Sequence, residues 1–349
     1  MPNEVAPSVA SRVRRNPTIA EIAAEAGVGT ATVDRILNGR AGVREQTRKR
    51  VLKALAHLNS MDAKPDPSPQ AKYRIAFLSD SGRSYVDTLE SAVWETVRQR
   101  SDIEATFEGM ATPKVDPIKL ANQLERTAET AQALVVVARE HLIINRAIRN
   151  VVGRGVPVIC LTTDLPTSGR TVYVGNDQTG AGATAAYLMG QAVGNHEGKI
   201  LLVYSAPYRV QEEREIGFRR VLRVEFPLLK VDERVNSNDE TDLVYANVVR
   251  YIADHGPPVG IYNTASGNVG IGKALSDHGL AGKTVFIGHE LNANSRMLME
   301  TGVMNFAIGH DVTDEVELAI NCAVQAVGRK AITPPAFTRI RIYTKYSCN

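Results

Sequence analysis

From Tyr73 onward the chain alternates short apolar runs with amphipathic stretches, and that rhythm limits its fold more than any other feature. Arg74–Ser79, Ile103–Phe107, Ala133–Val137, Val156–Leu161, Lys199–Tyr204, Gly260–Asn263 and Thr284–Gly288 read as strands. Helical patterns fill the gaps at Ser84–Arg100, Asp116–Thr130, His141–Gly153, Thr179–Val193, Glu212–Glu225, Glu240–His255, Asn268–Asp277 and Val312–Gly328. Such alternation implies parallel strands, because parallel neighbours need a crossover long enough to hold a helix. Helices then cover both faces of each sheet. So many units point to two doubly wound lobes rather than one, an α/β architecture.

Residues 18–61 follow another pattern, that of an all-α head. Thr18 with Glu21 three residues on is a capping box before the apolar stripe Ile19, Ile22, Ala23 and Ala26. Gly27 ends that helix and Val28-Gly29 turn the chain. Thr30–Leu37 is a second helix that buries Val33, Ile36 and Leu37, and Asn38-Gly39 stops it. A third helix, Glu45–Leu58, carries Val51, Leu52, Leu55 and Leu58 on one face. Two helices joined by a Gly-containing turn form a helix-turn-helix, whose second helix suits the major groove of DNA. The charge agrees: residues 1–60 hold ten Lys/Arg and five Asp/Glu, +5, whereas the remaining 31 and 33 give −2. A basic end on a near-neutral body favours phosphate contacts.

The wording AEIAAEAGVGTATVDRILNG (20–39), continued by ALAHLN in the third helix, closely resembles the DNA-binding domain of the lactose-repressor (LacI/GalR) family. That family pairs a helix-turn-helix head with a two-lobed domain of the type I periplasmic sugar-binding fold. The implied division is a flexible basic tail (1–17), a head (18–61), a Pro-rich linker (62–72) and an effector domain (73–349). The N-lobe would take about 73–174 and 310–330, the C-lobe about 175–309 and 331–349. By resemblance, Thr30, Ala31 and Arg35 face the bases, with Arg35 as guanine reader. Thr18, Thr32, Asn38 and Thr47 would hold phosphates, and Arg44 would add one more contact. Two departures stand out. Pro65, Pro67 and Pro69 cannot form the hinge helix usual in the family, and Asp34 puts a carboxylate where a serine normally faces the DNA backbone.

A ligand in such a fold sits between the lobes at the C-terminal ends of the strands. Matches to the family's cleft are Asp80, Arg139, Thr162, Asp164, Arg214 (in Arg214-Glu-Ile-Gly-Phe218), Asn263, Glu290 and His310. Carboxylates, Asn and Arg converging on a cleft suit a polyhydroxylated ligand: a sugar, sugar alcohol or sugar acid. Aromatics are 5% of the chain, so stacking platforms are few, with Tyr85, Tyr204, Tyr208 and Tyr262 the candidates.

Enzyme motifs are weak. Gly267–Lys273 has the GxxxxGK spacing, but Ala274 replaces the Ser/Thr that would hold Mg²⁺. Gly180-Ala-Gly182-Ala-Thr-Ala185 imitates a dinucleotide fingerprint, yet it falls inside a helix, where small residues serve packing. No nucleophile–base pair, cofactor motif or metal spacing is found. Three scattered cysteines argue against a disulfide framework, no apolar run reaches the ~18–20 residues of a membrane span, and the N-terminus lacks the apolar core of a secretory signal. The expectation is therefore a cytoplasmic, homodimeric transcription regulator, in sign a repressor, that binds a near-palindromic operator under control of a polyhydroxylated effector. The rival is a solute-binding protein of the same cleft fold.

Overall fold

The computed structural model describes residues 18–37, 43–61, 72–111, 116–330, 332 and 337–348. They belong to two compact units that part near residue 70, each taken here by itself. The tail 1–17, Asn38 and linker residues 62–71 lie outside the described residues.

The first unit contains α1 (Ile19–Ala26), α2 (Thr30–Leu37) and α3 (Glu45–Met61). Thr18 caps α1: its Oγ1 accepts from Glu21 N–H at 3.3 Å, and Glu21 Oε2 accepts from Thr18 N–H at 2.7 Å. Gly27 ends the helix at φ 62°, a conformation that costs glycine nothing. Ile22, Ala23, Ala26, Val33, Ile36, Val51 and Ala54 form the core. Ile19, Leu37 and Leu52, read from sequence as inward, are exposed. Leu37 and Leu52 each follow a core residue by one position, about 100° round the helix, so they turn away.

The second unit is two-lobed. Its first sheet holds β1 (Tyr73–Ser81), β2 (Ile103–Ala111), β3 (Ala133–Val137), β4 (Val158–Leu161) and β5 (Val172–Val174), all parallel, in the order β2-β1-β3-β4-β5. The strand side chains alternate between two cores. Ile75 and Phe77 pack with α4 (Arg83–Arg98) and α12 (Val312–Val327) on one face. Ala76 and Leu78 pack with α5 (Pro117–Thr127) and α6 (Leu142–Gly153) on the other.

The second sheet holds β6 (Gly198–Tyr204), β7 (Leu229–Asn236), β8 (Gly260–Asn263), β9 (Val285–His289), β10 (Phe306–Gly309) and β11 (Arg341–Tyr343). Its order is β11-β10-β9-β8-β6-β7, and only β11 runs antiparallel. Ile200 and Leu202 face α7 (Gln178–Val193) and α8 (Arg209–Glu225). Leu201 and Val203 face α9 (Thr241–His255), α10 (Asn268–Asp277) and α11 (Ala293–Glu300). Three segments pass between the lobes: residues 175–177 after β5, 310–311 before α12, and 337–340 before β11. Thr338 N–H donates to Gly175 O at 3.0 Å, and Thr338 bridges Asn176, so two crossings are bonded to each other.

The alternation read from sequence thus yields a two-lobed, doubly wound fold. β5, β7, β10, β11 and α11 were not legible in it. β5 and β11 have three residues each, too few to show a period. β7, LKVDERVN, is a sheet-edge strand whose charged side chains mask its apolar alternation.

Candidate ligand-binding cleft

β1 and β6 each have a neighbour on either side reached by chain running in opposite senses, so the loops after them part and leave a crevice at their carboxyl ends. Between the lobes, that crevice is a cavity of about 380 Å³, within the roughly 300–1,000 Å³ of small-molecule sites. The first lobe supplies Ser81, Ser84, Tyr85 and Thr162; the second supplies Arg214, Thr264, Asn268, His289 and Glu290.

Arg214 owes its place to two glycines. α7 and α8 pack so closely that a Cβ on Gly182 would strike the carbonyl of Arg214, and one on Gly217 the carbonyl of Thr179. This explains both the Gly180–Ala185 run and the glycine of the Arg214–Phe218 motif as packing. Arg214 is 3% exposed. Its Nε donates to Gln178 Oε1 at 2.9 Å and its Nη1 to Thr264 O at 2.9 Å. Burial opposes its charge, both acceptors are neutral, and among the described residues no hydrogen bond from Nη2 accompanies them, while Arg214 itself lines the cavity. Below it, Phe218 stacks on Tyr262 at 4.3 Å, and the Tyr262 hydroxyl lies 2.9 Å from His289 Nε2. Burial first, then Arg214 and His310, hold His289 well below the ordinary histidine value, hence neutral.

Glu290 follows β9 at φ 70° and bonds Ile308 O through its N–H at 2.8 Å. Among the described residues its carboxylate makes no hydrogen bond or ion pair. Burial raises its pKa, partly offset by His310 and Arg214. On the opposite lobe Thr162 follows β4 at φ 61°, and its N–H bonds Val174 O at 2.8 Å. The first lobe therefore presents one positive-φ non-glycine residue to the cavity and the second presents two, Glu290 and Asp239 (φ 57°), at a cost of order 1–3 kcal/mol apiece where no local bond relieves it. Tyr85 reaches Thr162 Oγ1 with its hydroxyl.

Of the residues singled out from sequence, Thr162, Arg214 and Glu290 line the cavity. The others are placed behind it. Asp80, with no exposure, is held by Arg139 through bonds of 2.7 and 2.9 Å and accepts from the Tyr208 hydroxyl of the other lobe at 2.7 Å. Asp164 is turned to Arg170, whose Nη2 donates at 2.7 Å. Asn263 braces the turn after β8, donating to Asn268 Oδ1 at 2.7 Å and Ser266 O at 3.2 Å. His310 pairs through Nδ1 with Glu315 at 2.9 Å. Tyr85 and Tyr208 line the cavity, whereas Tyr262 lies beneath it and Tyr204 is covered by Arg234 at 3.8 Å. Gln178, Thr264, Asn268 and Glu315 were missed; they act through neighbours far away in sequence. Gly267–Lys273 is the start of α10 beside the cavity.

In the first unit, Thr30, Ala31, Arg35 and Arg44 are exposed, and Thr18, Thr32 and Thr47 are half-buried. Gly29 O receives Thr32 N–H at 2.9 Å, and Arg44 O receives Thr47 N–H at 2.9 Å.

Two covered sheets with a polar cavity between them make a two-lobed cleft fold. The chain belongs to the periplasmic binding protein domain family, whose model matches residues 77–331. A second model, that of bacterial regulatory proteins of the lacI family, matches residues 18–60, too short a stretch to set the family of the chain. No curated protein matches. Among solved structures, the chain is similar to an ABC transporter solute-binding protein from Burkholderia graminis in complex with D-arabinose (17% identity, TM-score 0.73, 79% of this chain and 96% of that one). It is also similar to one from Agrobacterium vitis bound with α-D-tagatopyranose (15%, 0.72, 79% and 95%). A periplasmic solute-binding protein from Actinobacillus succinogenes with bound D-allose is a third (21%, 0.71, 79% and 99%).

These findings correct the functional expectation. The family match over the body of the chain, with the solute-binding structures aligned to it, overturns the reading as a LacI-family, operator-binding homodimeric repressor in favour of its rival, a solute-binding protein. No operator DNA partner is carried over to Thr18, Thr30, Ala31, Thr32, Arg35, Asn38, Arg44 or Thr47. The cytoplasmic placement is overturned with it, since the family is that of the periplasmic binding protein domain and the similar structures are transporter solute-binding proteins, one of them periplasmic. The family is a binding one, and the chain is not an enzyme.

Proposed function

We propose that the protein is a solute-binding protein that closes its two lobes on one small polyhydroxylated ligand, of the size of a pentose or hexose. The observation that carries this reading is the pairing of two unlike charges on one cavity wall. Among the described residues, buried Arg214 donates to the neutral acceptors Gln178 Oε1 and Thr264 O, and the Glu290 carboxylate, on the same wall, makes no hydrogen bond or ion pair. Leaving such groups without partners is costly, and a ligand with adjacent hydroxyls satisfies both: the guanidinium donates to hydroxyl oxygens and the carboxylate accepts from hydroxyls. Thr162 would contribute from the facing lobe, while Asp80, Arg139, Asp164, Asn263 and His310 would position the walls. The sugars held by the similar solved structures support this size and chemistry. We take residues about 73–174 and 310–330 as one lobe and about 175–309 and 331–349 as the other, supported by the packing of α12 on the first sheet and of β11 on the second. We take residues 18–61 as a separate head of helix-turn-helix shape, supported by the Thr18 cap, the Gly27 turn and the match over 18–60.

The test is a thermal-shift screen of the full chain against aldoses, ketoses, alditols and aldonic acids, with amino acids and nucleosides as controls. A concentration-dependent rise in melting temperature for polyhydroxylated compounds alone is expected. A rise with amino acids or nucleosides and none with polyols would refute the reading.

A further inference from the structure

We propose that Glu315 is the positioning residue of the cleft: one buried carboxylate at the hinge binds the crossing segments to each other and to the wall that faces the ligand. The proposal rests on the cleft-binding reading above for its purpose, though not for its geometry. Glu315 lies in the first turn of α12 with no solvent exposure. Its Oε1 accepts from Thr338 Oγ1 at 2.6 Å and lies 2.9 Å from His310 Nδ1; its Oε2 accepts from Thr162 Oγ1 at 3.1 Å. His310 and Thr338 stand on two of the three crossings, and Thr338 is bonded to Gly175 on the third. One carboxylate therefore gathers the whole hinge.

The same carboxylate reaches the ligand wall. Thr162 shares its hydroxyl with Tyr85, and both line the cavity. The Thr162 carbonyl accepts from Tyr173 at 3.0 Å and from Gln178 Nε2 at 3.3 Å, and Gln178 in turn holds Arg214. Hinge, strained wall and buried guanidinium thus form one continuous network. Residues with no common element share it, so its geometry survives only while the hinge stays assembled.

The network carries a charge requirement. His310 is the cation bonded to Glu315 among the described residues, and losing it would strand a buried carboxylate, which is strongly destabilising. The groups facing His310 are Glu315 on α12, Glu290 and His289 at the end of β9, Arg214 on α8, and the Tyr85 ring of α4 at 6.4 Å. Burial works against the imidazolium and Arg214 repels it. The Glu315 carboxylate, 2.9 Å from Nδ1, and Glu290 outweigh them, so the imidazolium is favoured above its ordinary range. Because the folded value is raised, the pair is intact below the ordinary histidine value of 6.5 and is lost as pH rises through the folded one.

The experiment uses the ligand-free full chain, so its outcome does not depend on which solute binds. Spin labels on Arg98→Cys and Glu300→Cys, exposed positions on α4 and α11, report the distance between lobes; the three native cysteines are buried. Imidazole ¹⁵N resonances report His310. The wild-type distance distribution should be narrow at pH 6 and broaden as His310 titrates. In Glu315→Gln it should be broad at every pH, with the His310 midpoint lower by about one pH unit or more. Thr338→Val, which spares the ion pair, should broaden the distribution while leaving the midpoint in place. Should Glu315→Gln fail to fold, His310→Gln and Thr338→Val carry the test through the same distributions. An unchanged His310 midpoint in Glu315→Gln, or a distribution that neither pH nor these variants alter, would overturn the proposal. A failed polyol screen would refute the ligand reading and leave these readouts standing.

Discussion

Tyr208→Phe removes one of the hydrogen bonds that cross from lobe to lobe, others being Asn292 to Ser84 at 3.1 Å and Gln178 to Thr162 at 3.3 Å. The Tyr208 hydroxyl donates across the cleft to Asp80 Oδ1 at 2.7 Å, and Tyr208 is 3% exposed. Phenylalanine keeps the ring, and with it the Arg139 guanidinium 5.5 Å from the ring centre. Asp80 keeps both bonds from Arg139, so no buried charge is orphaned. What is lost includes the hydrogen bond to a charged acceptor, about 1.5–3 kcal/mol, while the contact of the hydroxyl with Arg139 is lost as well. Because Asp80 stays paired, the lower end applies, and about 1.4 kcal/mol is a factor of ten in an equilibrium constant. The ratio of open to closed molecules should therefore rise about tenfold. Small-angle X-ray scattering on the ligand-free protein would read this as a larger radius of gyration, and stopped-flow fluorescence with a bound sugar as a faster off-rate. Asp80→Asn should open the cleft further, since it weakens the Arg139 pair as well. Scattering curves for Tyr208→Phe that superpose on wild type, with an unchanged off-rate, would refute the reasoning that this bond contributes to holding the cleft closed.

Gly217→Ala should cost at least the 1–3 kcal/mol typical of overpacking and abolish ligand binding, because the new methyl meets the Thr179 carbonyl and pushes α8, with Arg214, off α7; a wild-type melting curve would contradict this. Arg214→Lys gives up the fork that spans Gln178 and Thr264, and calorimetry should show affinity falling roughly 10–100-fold, as expected for bonds from a charged group. Glu290→Gln should raise the melting temperature of the ligand-free protein while weakening polyol binding. Its carboxyl is raised above the ordinary 4.5 by burial, so the ionised form costs stability that is absent below 4.5 and grows as pH rises to the folded value. The gain should be seen at pH 7 and vanish near pH 4. Thr162→Gly relieves the positive φ but removes the hydroxyl between Tyr85 and Glu315, so chemical denaturation should show a smaller gain than strain relief alone, of order 1 kcal/mol.

Much of the fold was legible because burial on both faces of a parallel strand leaves an apolar run that sequence shows directly, as at Ala133–Val137. Strand ends were legible for the same reason, and with the family's local wording they located Thr162 and Glu290, whereas Arg214, inside α8, was found only through its resemblance to a family motif. What they did not show was partnership. Asp80, Arg139 and Asp164 were named as matches to the family's cleft after successive strands, yet Arg139 and Tyr208 claim Asp80, and Arg170 claims Asp164. Glu315 stood out in no motif, since its partners lie 5, 23 and 153 positions away. Function was read from the distinctive wording of residues 20–39, whereas the family of the chain is set by the longer and less distinctive body that builds the cleft.

The central claim is that the cleft binds a polyhydroxylated solute through Arg214 and Glu290. Isothermal titration calorimetry of the full chain against the best polyol of the screen, in wild type, Arg214→Gln and Glu290→Gln, tests it most directly. The account predicts one site per chain in wild type and a loss of at least tenfold in affinity in each variant, with both variants still folded. Saturable binding that neither substitution alters would place the solute elsewhere and contradict it.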